Sequence, residues 1–305
     1  MTFKKALILI LACALLLTAC EYIVVPEEDT SQTPVESKGW SAVLTNVGKS
    51  DAGDLHLDIT IRNETGAWSA MQAAPGKPAV LSTSDGKTTD CQTVFIGTGG
   101  HRLAPGFQMR GFMTGKKTDP KIQPIYVECK GAAATPGSKL SFDYSYVTGE
   151  YNYYDQAANK VDGKIELNLD EIASDVKYPI AVPVEGLIQK PAVTITAINN
   201  VALNLADVQR TAKGVQFKWQ TTNPGEYPSY VHIGNPPVIG ADGIIYGLYE
   251  SPDIASVPVT GGGKTAEWTT EVSVPKDVNG LYMLLSVESK KQRLFTNYAV
   301  DITDK

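Results

Sequence analysis

The sequence is poor in the residues that most often do chemistry. Its 305 residues hold three histidines, His56, His101 and His232, far apart and in no HExxH spacing. The usual zinc-ligand patterns are therefore missing. No G-x-S-x-G elbow nominates a nucleophilic serine. Gly97-Thr98-Gly99-Gly100 lacks the strand–helix context of a phosphate cradle. Asp51 and Asp54 share a glycine-containing loop without the EF-hand pattern, and read as a solvated turn. No catalytic residue, metal ligand or cofactor is nominated. Basic charge is also short, with 27 Lys and Arg against 33 Asp and Glu and a net charge of -6. That balance argues against nucleic acid, because phosphate binding draws its affinity from Lys and Arg. Past the first 20 residues no apolar run reaches the ~20 residues needed to cross a bilayer as a helix. Amphipathic helical periodicity is missing as well.

What is present begins at the amino terminus. Lys4 and Lys5 precede an apolar run over residues 6–17, which ends in Leu17-Thr18-Ala19-Cys20. A basic flank, an apolar stretch too short to span and small residues at the cut are the parts of an export signal. The small residues directly before a cysteine resemble the lipobox of bacterial lipoproteins. That resemblance implies a signal peptide over residues 1–19, cleavage before Cys20, lipidation of the Cys20 thiol and acylation of the new amino terminus with palmitate-type chains. One acyl chain holds a protein only marginally, at about 0.8 kcal/mol per buried CH₂, whereas two or more anchor it stably. The expected partner is thus a membrane, reached through the lipid on Cys20, and the expected location is the bacterial cell envelope, facing outside the cytoplasm. In a double-membrane bacterium, Glu21 rather than Asp leans towards the outer membrane. Loss of Lys4 and Lys5 takes the net charge from -6 to -8.

Residues 20–39 read as a tether. Glu27, Glu28, Asp29, Glu36, Pro26 and Pro34 leave it too polar to bury a core of its own. Beyond Cys20, the mature chain keeps two cysteines, Cys91 and Cys129. Export favours their oxidation to a disulfide, and the CxxC spacing of a reactive or metal-binding pair is absent.

The rest reads as strands. Leu55, Leu57, Ile59 and Ile61 alternate with His56, Asp58, Thr60 and Arg62, the pattern of a strand with one buried and one wet face. Ser84-Asp85-Gly86-Lys87 marks a hairpin turn between runs at 79–83 and 88–96, and Leu103-Ala104-Pro105-Gly106 a second turn. Runs at 122–129 and 140–147 follow, and Asp162-Gly163 reads as a turn into 164–169. A proline-punctuated stretch at 174–190 separates these from runs at 193–198, 215–220, 229–233, 244–249, 265–274, 281–287 and 294–302. Short strands with turn signals at this spacing predict an all-β architecture of two tandem sandwiches, domain 1 over 40–173 and domain 2 over 191–305. Both resemble the immunoglobulin-like domains of bacterial surface lipoproteins, on the strength of the 55–61 strand, Cys91 with Cys129 and the 103–106 turn. The buried tryptophan and cysteine spacing of antibody domains is not reproduced.

Aromatic residues supply the remaining lead. Tyr144, Tyr146, Tyr151, Tyr153 and Tyr154 crowd one region, and Tyr227 and Tyr230 lie in a proline-rich one with Pro228, Pro236 and Pro237. Phe142, Tyr144 and Tyr146 share one strand face and are expected to pack inward. Tyr151, Tyr153, Tyr154, Tyr227 and Tyr230 are the candidate ligand-contact residues, because aromatic faces stack on sugars. The expected function is a membrane-anchored, non-catalytic binding or structural module whose partner is an envelope protein or a glycan. The alternatives are a carbohydrate-binding surface protein using the tyrosine patch, and a secreted hydrolase with a spatially assembled site.

Overall fold

Period-two alternation governs the architecture. The computed structural model describes residues 35–91, 93–95, 102–110, 125–148, 151–152, 160–172, 187–188, 193–196, 202–227, 229–233, 238–241, 243–247, 255–259, 262–278, 280–288 and 294–303. The signal peptide, Cys20 and the first part of the tether lie outside them. All regular elements among the described residues are strands, so the all-β expectation holds.

The first half contributes β1 (Val35–Ser37), β2 (Trp40–Lys49), β3 (Leu55–Asn63), β4 (Ser69–Ala73), β5 (Ala79–Ser82), β6 (Thr88–Cys91), β7 (Thr93–Phe95), β8 (Gln108–Arg110), β9 (Tyr126–Cys129), β10 (Lys139–Thr148), β11 (Tyr151–Asn152) and β12 (Lys160–Asn168). They form one sheet in the order β1-β2-β3-β9-β7, with β8 also on β3, and a second in the order β12-β10-β5-β6, with β4 on β10. Leu57, Ile59, Ile61, Leu81, Leu140, Phe142, Tyr144 and Ile165 meet between the two sheets. The run at 88–96 changes sheets: β6 pairs with β5, and β7 pairs with β9. One predicted strand is thus two, and it ties the layers together.

The second half contributes β13 (Leu187–Ile188), β14 (Val193–Thr196), β15 (Ala202–Arg210), β16 (Gly214–Asn223), β17 (Ser229–Ile233), β18 (Val238–Gly240), β19 (Ile245–Tyr246), β20 (Ala255–Val259), β21 (Lys264–Ser273), β22 (Leu281–Glu288) and β23 (Leu294–Asp301). One sheet runs β14-β15-β16-β21. The facing sheet runs β11-β23-β22-β18-β19, with β13 also on β23. Phe217, Trp219, Val238, Val272, Met283 and Val300 fill the space between them. β17 and β20 make a separate two-stranded sheet.

The halves repeat one another. The orders β1-β2-β3-β9 and β12-β10-β5-β6 match β14-β15-β16-β21 and β23-β22-β18-β19 strand for strand. Local detail matches too. Thr45 is an extra residue in β2, between the pairs Leu44–Ile59 and Asn46–Asp58. Ala206 is an extra residue in β15, between Leu205–Trp219 and Asp207–Lys218. A bulge of this kind raises the local twist and fixes register. Each second strand then ends in a buried asparagine that holds the following turn. Asn63 Oδ1 accepts from the Thr65 N–H at 2.9 Å, and Asn63 Nδ2 donates to the carbonyls of Ala67 and Leu103, both at 2.8 Å. Asn223 Oδ1 accepts from the Gly225 N–H at 2.9 Å, and its Nδ2 donates to the Tyr227 carbonyl at 2.9 Å. The next strands, β4 and β17, begin six residues after each asparagine.

The halves touch. Tyr282 meets Phe107 edge-on with ring centroids 5.3 Å apart, and the Arg110 N–H donates to the Gly243 carbonyl at 3.0 Å. Ile239, Ile245, Leu284 and Ala299 belong to the apolar cluster of the first half, while their strand neighbours Val238, Tyr246, Met283 and Val300 belong to that of the second.

Two expectations are corrected. Asp162-Gly163 is no turn but lies inside β12, opposite Ser145 and Tyr144. The Tyr144 ring occupies the space where a Cβ on Gly163 would stand. Glycine therefore marks a close approach here, one of the two meanings it carries inside a strand. The second correction concerns β3, whose polar face is not wet. Asp58 is 2 % and Thr60 0 % exposed, and His56 is buried beside them. The carboxylates, imidazole and amide on that face satisfy one another, which is the condition for burying them.

The asparagine turns yield a stability prediction. Asn63→Ala strands two carbonyls and should cost about 2–4 kcal/mol, and Asn223→Ala, with one carbonyl stranded, about 1–2 kcal/mol. Urea unfolding of the two variants measures both, and equal, negligible losses would contradict the assignment.

Candidate functional site

The densest group of buried titratable side chains is on the outer face of β3. Antiparallel pairing sets His56 opposite Glu128 and Asp58 opposite Tyr126 on β9, and Asp58 opposite Asn46 on β2. Residues directly opposite one another share a face, so register alone gathers these five. In the imidazolium form, His56 Nε2–H donates to Asp58 Oδ1 at 2.9 Å and Nδ1–H to Glu128 Oε1 at 3.2 Å. Asn46 Nδ2 donates to the other Asp58 oxygen at 3.0 Å. The Tyr126 ring stacks on the imidazole, with centroids 5.1 Å apart. The bulge residue Thr45 donates its hydroxyl to the Asp58 carbonyl at 3.2 Å.

Burial by itself would lower the His56 pKa, but hydrogen bonds and charge from Asp58, then from Glu128, outweigh it and hold the pKa above 6.5. With both ring nitrogens taken by carboxylates, His56 has no lone pair free to accept a serine proton or bind a metal. The cluster is a clamp between β3 and β9. Sequence reading placed His56 on a wet face and did not connect it with Glu128, whose distance along the chain hides a partnership set by register.

The remaining candidates fall as follows. Cys91 and Cys129 form a disulfide, with Cys91 on β6 in one sheet and Cys129 on β9 in the other. Its sequence separation of 38 corresponds to about 4 kcal/mol of denatured-state constraint in the chain-entropy model. Tyr144 and Tyr146 pack in the first core, as their strand face predicts. The Tyr146 hydroxyl donates to the Lys38 carbonyl at 2.5 Å. Tyr153, Tyr154, His101, Pro228, Pro236 and Pro237 lie outside the described residues. Tyr151 and Tyr230 are placed by backbone, Tyr151 opposite Phe295 and Tyr230 opposite Pro258, and His232 likewise lies opposite Ser256.

Tyr227 is 77 % exposed. It ends the turn held by Asn223, and that turn is pinned again by Gly262 and Gly263, whose N–H groups donate to the carbonyls of Gly225 at 2.6 Å and Asn223 at 2.8 Å. The triglycine segment expected to be a free loop tip is thus tied down where described. Asp54 is occupied as well, accepting from the Gly131 N–H at 2.9 Å. Among the described residues no group of three His, Cys, Asp or Glu side chains is arranged to hold a metal ion. An open depression of about 530 Å³ lies between the 73–78 loop and β6, lined by Pro75, Lys77, Pro78, Asp90 and Cys91. Lys77 is engaged there by Asp143 at 2.8 Å.

The clamp generates a pH prediction. A raised folded-state pKa means that protonated His56 stabilises the fold. That contribution is complete below the unfolded value near 6.5 and is lost as pH rises through the folded value. Stability measured by urea unfolding should fall across that window, and the fall should be absent in His56→Gln. A wild-type profile parallel to that of the variant would contradict the clamp.

No family model matches this chain, and no curated protein or solved structure matches it either.

Proposed function

We propose that this protein is a lipid-anchored module of the bacterial cell envelope, held at a membrane by acyl chains on Cys20 and exposing two β-sandwiches that bind or brace rather than catalyse. The observation that carries the reading is Leu17-Thr18-Ala19-Cys20 at the end of a short apolar run behind Lys4 and Lys5. Export at that point agrees with the oxidised Cys91–Cys129 pair, since disulfides persist outside the reducing cytoplasm. The described part of the fold suits the same role. His56 is committed to two carboxylates, and the bulged, asparagine-locked hairpins make rigid supports for surface loops. The strand orders β2-β3-β9-β7 and β12-β10-β5-β6 support the immunoglobulin-like reading, which places four strands on one sheet and the returning strands on the other.

The test is metabolic labelling with a clickable palmitate analogue in a bacterial host, followed by membrane fractionation. The wild-type chain should take up label and sediment with membranes. Cys20→Ala should lose the label and leave the membrane fraction. An unlabelled, soluble wild-type protein would overturn the proposal.

A further inference from the structure

The two halves differ at one sheet edge. In the first, β9 has a strand on each side, with β3 on one and β7 on the other. β7 pairs there with Tyr126, Val127 and Glu128. The matching strand of the second half is β21, because Val272, Glu271, Thr270 and Thr269 oppose Val215, Gln216, Phe217 and Lys218 as Cys129, Glu128, Val127 and Tyr126 oppose Leu55, His56, Leu57 and Asp58. β21 pairs with β16 along all ten of its residues and is the last strand of its sheet, with no strand beyond it among the described residues. β20 pairs with β17 in a separate sheet. The fold thus fills this position in one copy and leaves it open in the other. Along such an edge, the N–H and C=O groups of alternate residues point outward unpaired.

The side chains indicate what fits. The outward row of β21 carries Glu267 and Glu271, set between Thr265 and Thr269. The inward row carries Trp268, Thr270 and Val272, and Trp268 is half-buried and stacked on Trp219 with centroids 5.4 Å apart. A strand laid antiparallel on β21 would set every second side chain beside this apolar row and the others beside the two glutamates. Main-chain hydrogen bonds give such a complex its affinity, and the alternate side chains give it specificity.

We propose that the open edge of β21 accepts an extended peptide segment from a partner protein, one in which apolar residues alternate with basic or hydroxyl residues. This deepens the binding-module reading by naming a site and a partner class. It makes no use of the Cys20 anchor, so its failure would leave the labelling result standing.

The test uses the full chain in detergent and hydrogen exchange read over β21. The probes are a synthetic peptide alternating valine with lysine and threonine, and the same peptide with glutamate in place of lysine. The lysine peptide should slow exchange of the outward β21 amides at least tenfold, and the glutamate peptide should not. Glu267→Lys should weaken binding of the lysine peptide up to about fivefold, the range of one cross-strand charge pair, and improve binding of the glutamate peptide. Four results would overturn the proposal: no protection by either peptide, equal protection by both, β21 amides already protected in the free chain, or protection that arises from self-association without peptide.

Discussion

A sheet that is apolar on both faces must be covered on both, and the sheet built on β18, β22 and β23 is such a sheet. Leu281, Met283 and Leu285 point into the second core, while Tyr282 and Leu284 between them turn to the first. Ile239 and Ile245 extend that second face, next to Val238 and Tyr246 on the other. Exposing such side chains would cost about 1.5–3 kcal/mol each. The two sandwiches are therefore joined by a hydrophobic requirement of one sheet, and the hydrogen bond from Arg110 to Gly243 fixes where they meet.

The same arithmetic explains how the repeated halves diverge. The sheet of β2, β3 and β9 keeps polar residues on its outer face but buries them, so His56, Asp58, Glu128 and Asn46 each need a partner there and have one. Its counterpart, the sheet of β15, β16 and β21, carries polar residues at the matching places and leaves them largely in water. Lys218 meets Asp207 at 3.2 Å and Gln220 donates to Glu267 at 2.9 Å, both as exposed pairs. A buried polar network is worth keeping only when every member is satisfied, whereas exposed pairs of this kind contribute little. One plan thus gives a clamp in the first copy and a solvated face with an open edge in the second.

Much of this was legible in the chain. The alternation at 55–61, the turns at 84–87 and 103–106, and the two cysteines left after export each rest on local chemistry, and each is found in place. The inward packing of Phe142, Tyr144 and Tyr146 followed from their shared face. What failed depends on contacts far along the chain. Asp162-Gly163 has turn composition, yet the ring of Tyr144 turns the glycine into a strand residue. His56 and Asp58 look like a wet face until Glu128 arrives from β9. The duplication escaped notice because few identities survive, among them Leu44 with Leu205, Val47 with Val208, Asn63 with Asn223 and Ser69 with Ser229. Register and a shared bulge preserve it instead. The signal that would have found it is an asparagine closing a long alternating strand, with a serine six residues on, occurring twice.

The most direct measurement is equilibrium unfolding of the full chain followed separately in each half. Trp40 lies in the first core and Trp219 in the second, so chains keeping only one of them as a fluorescent core probe report on each. Coincident urea midpoints, split apart by Leu284→Asn, are what a doubly covered sheet predicts. Two well-separated transitions in the otherwise wild-type chain would mean that the sandwiches stand independently, and would contradict the account.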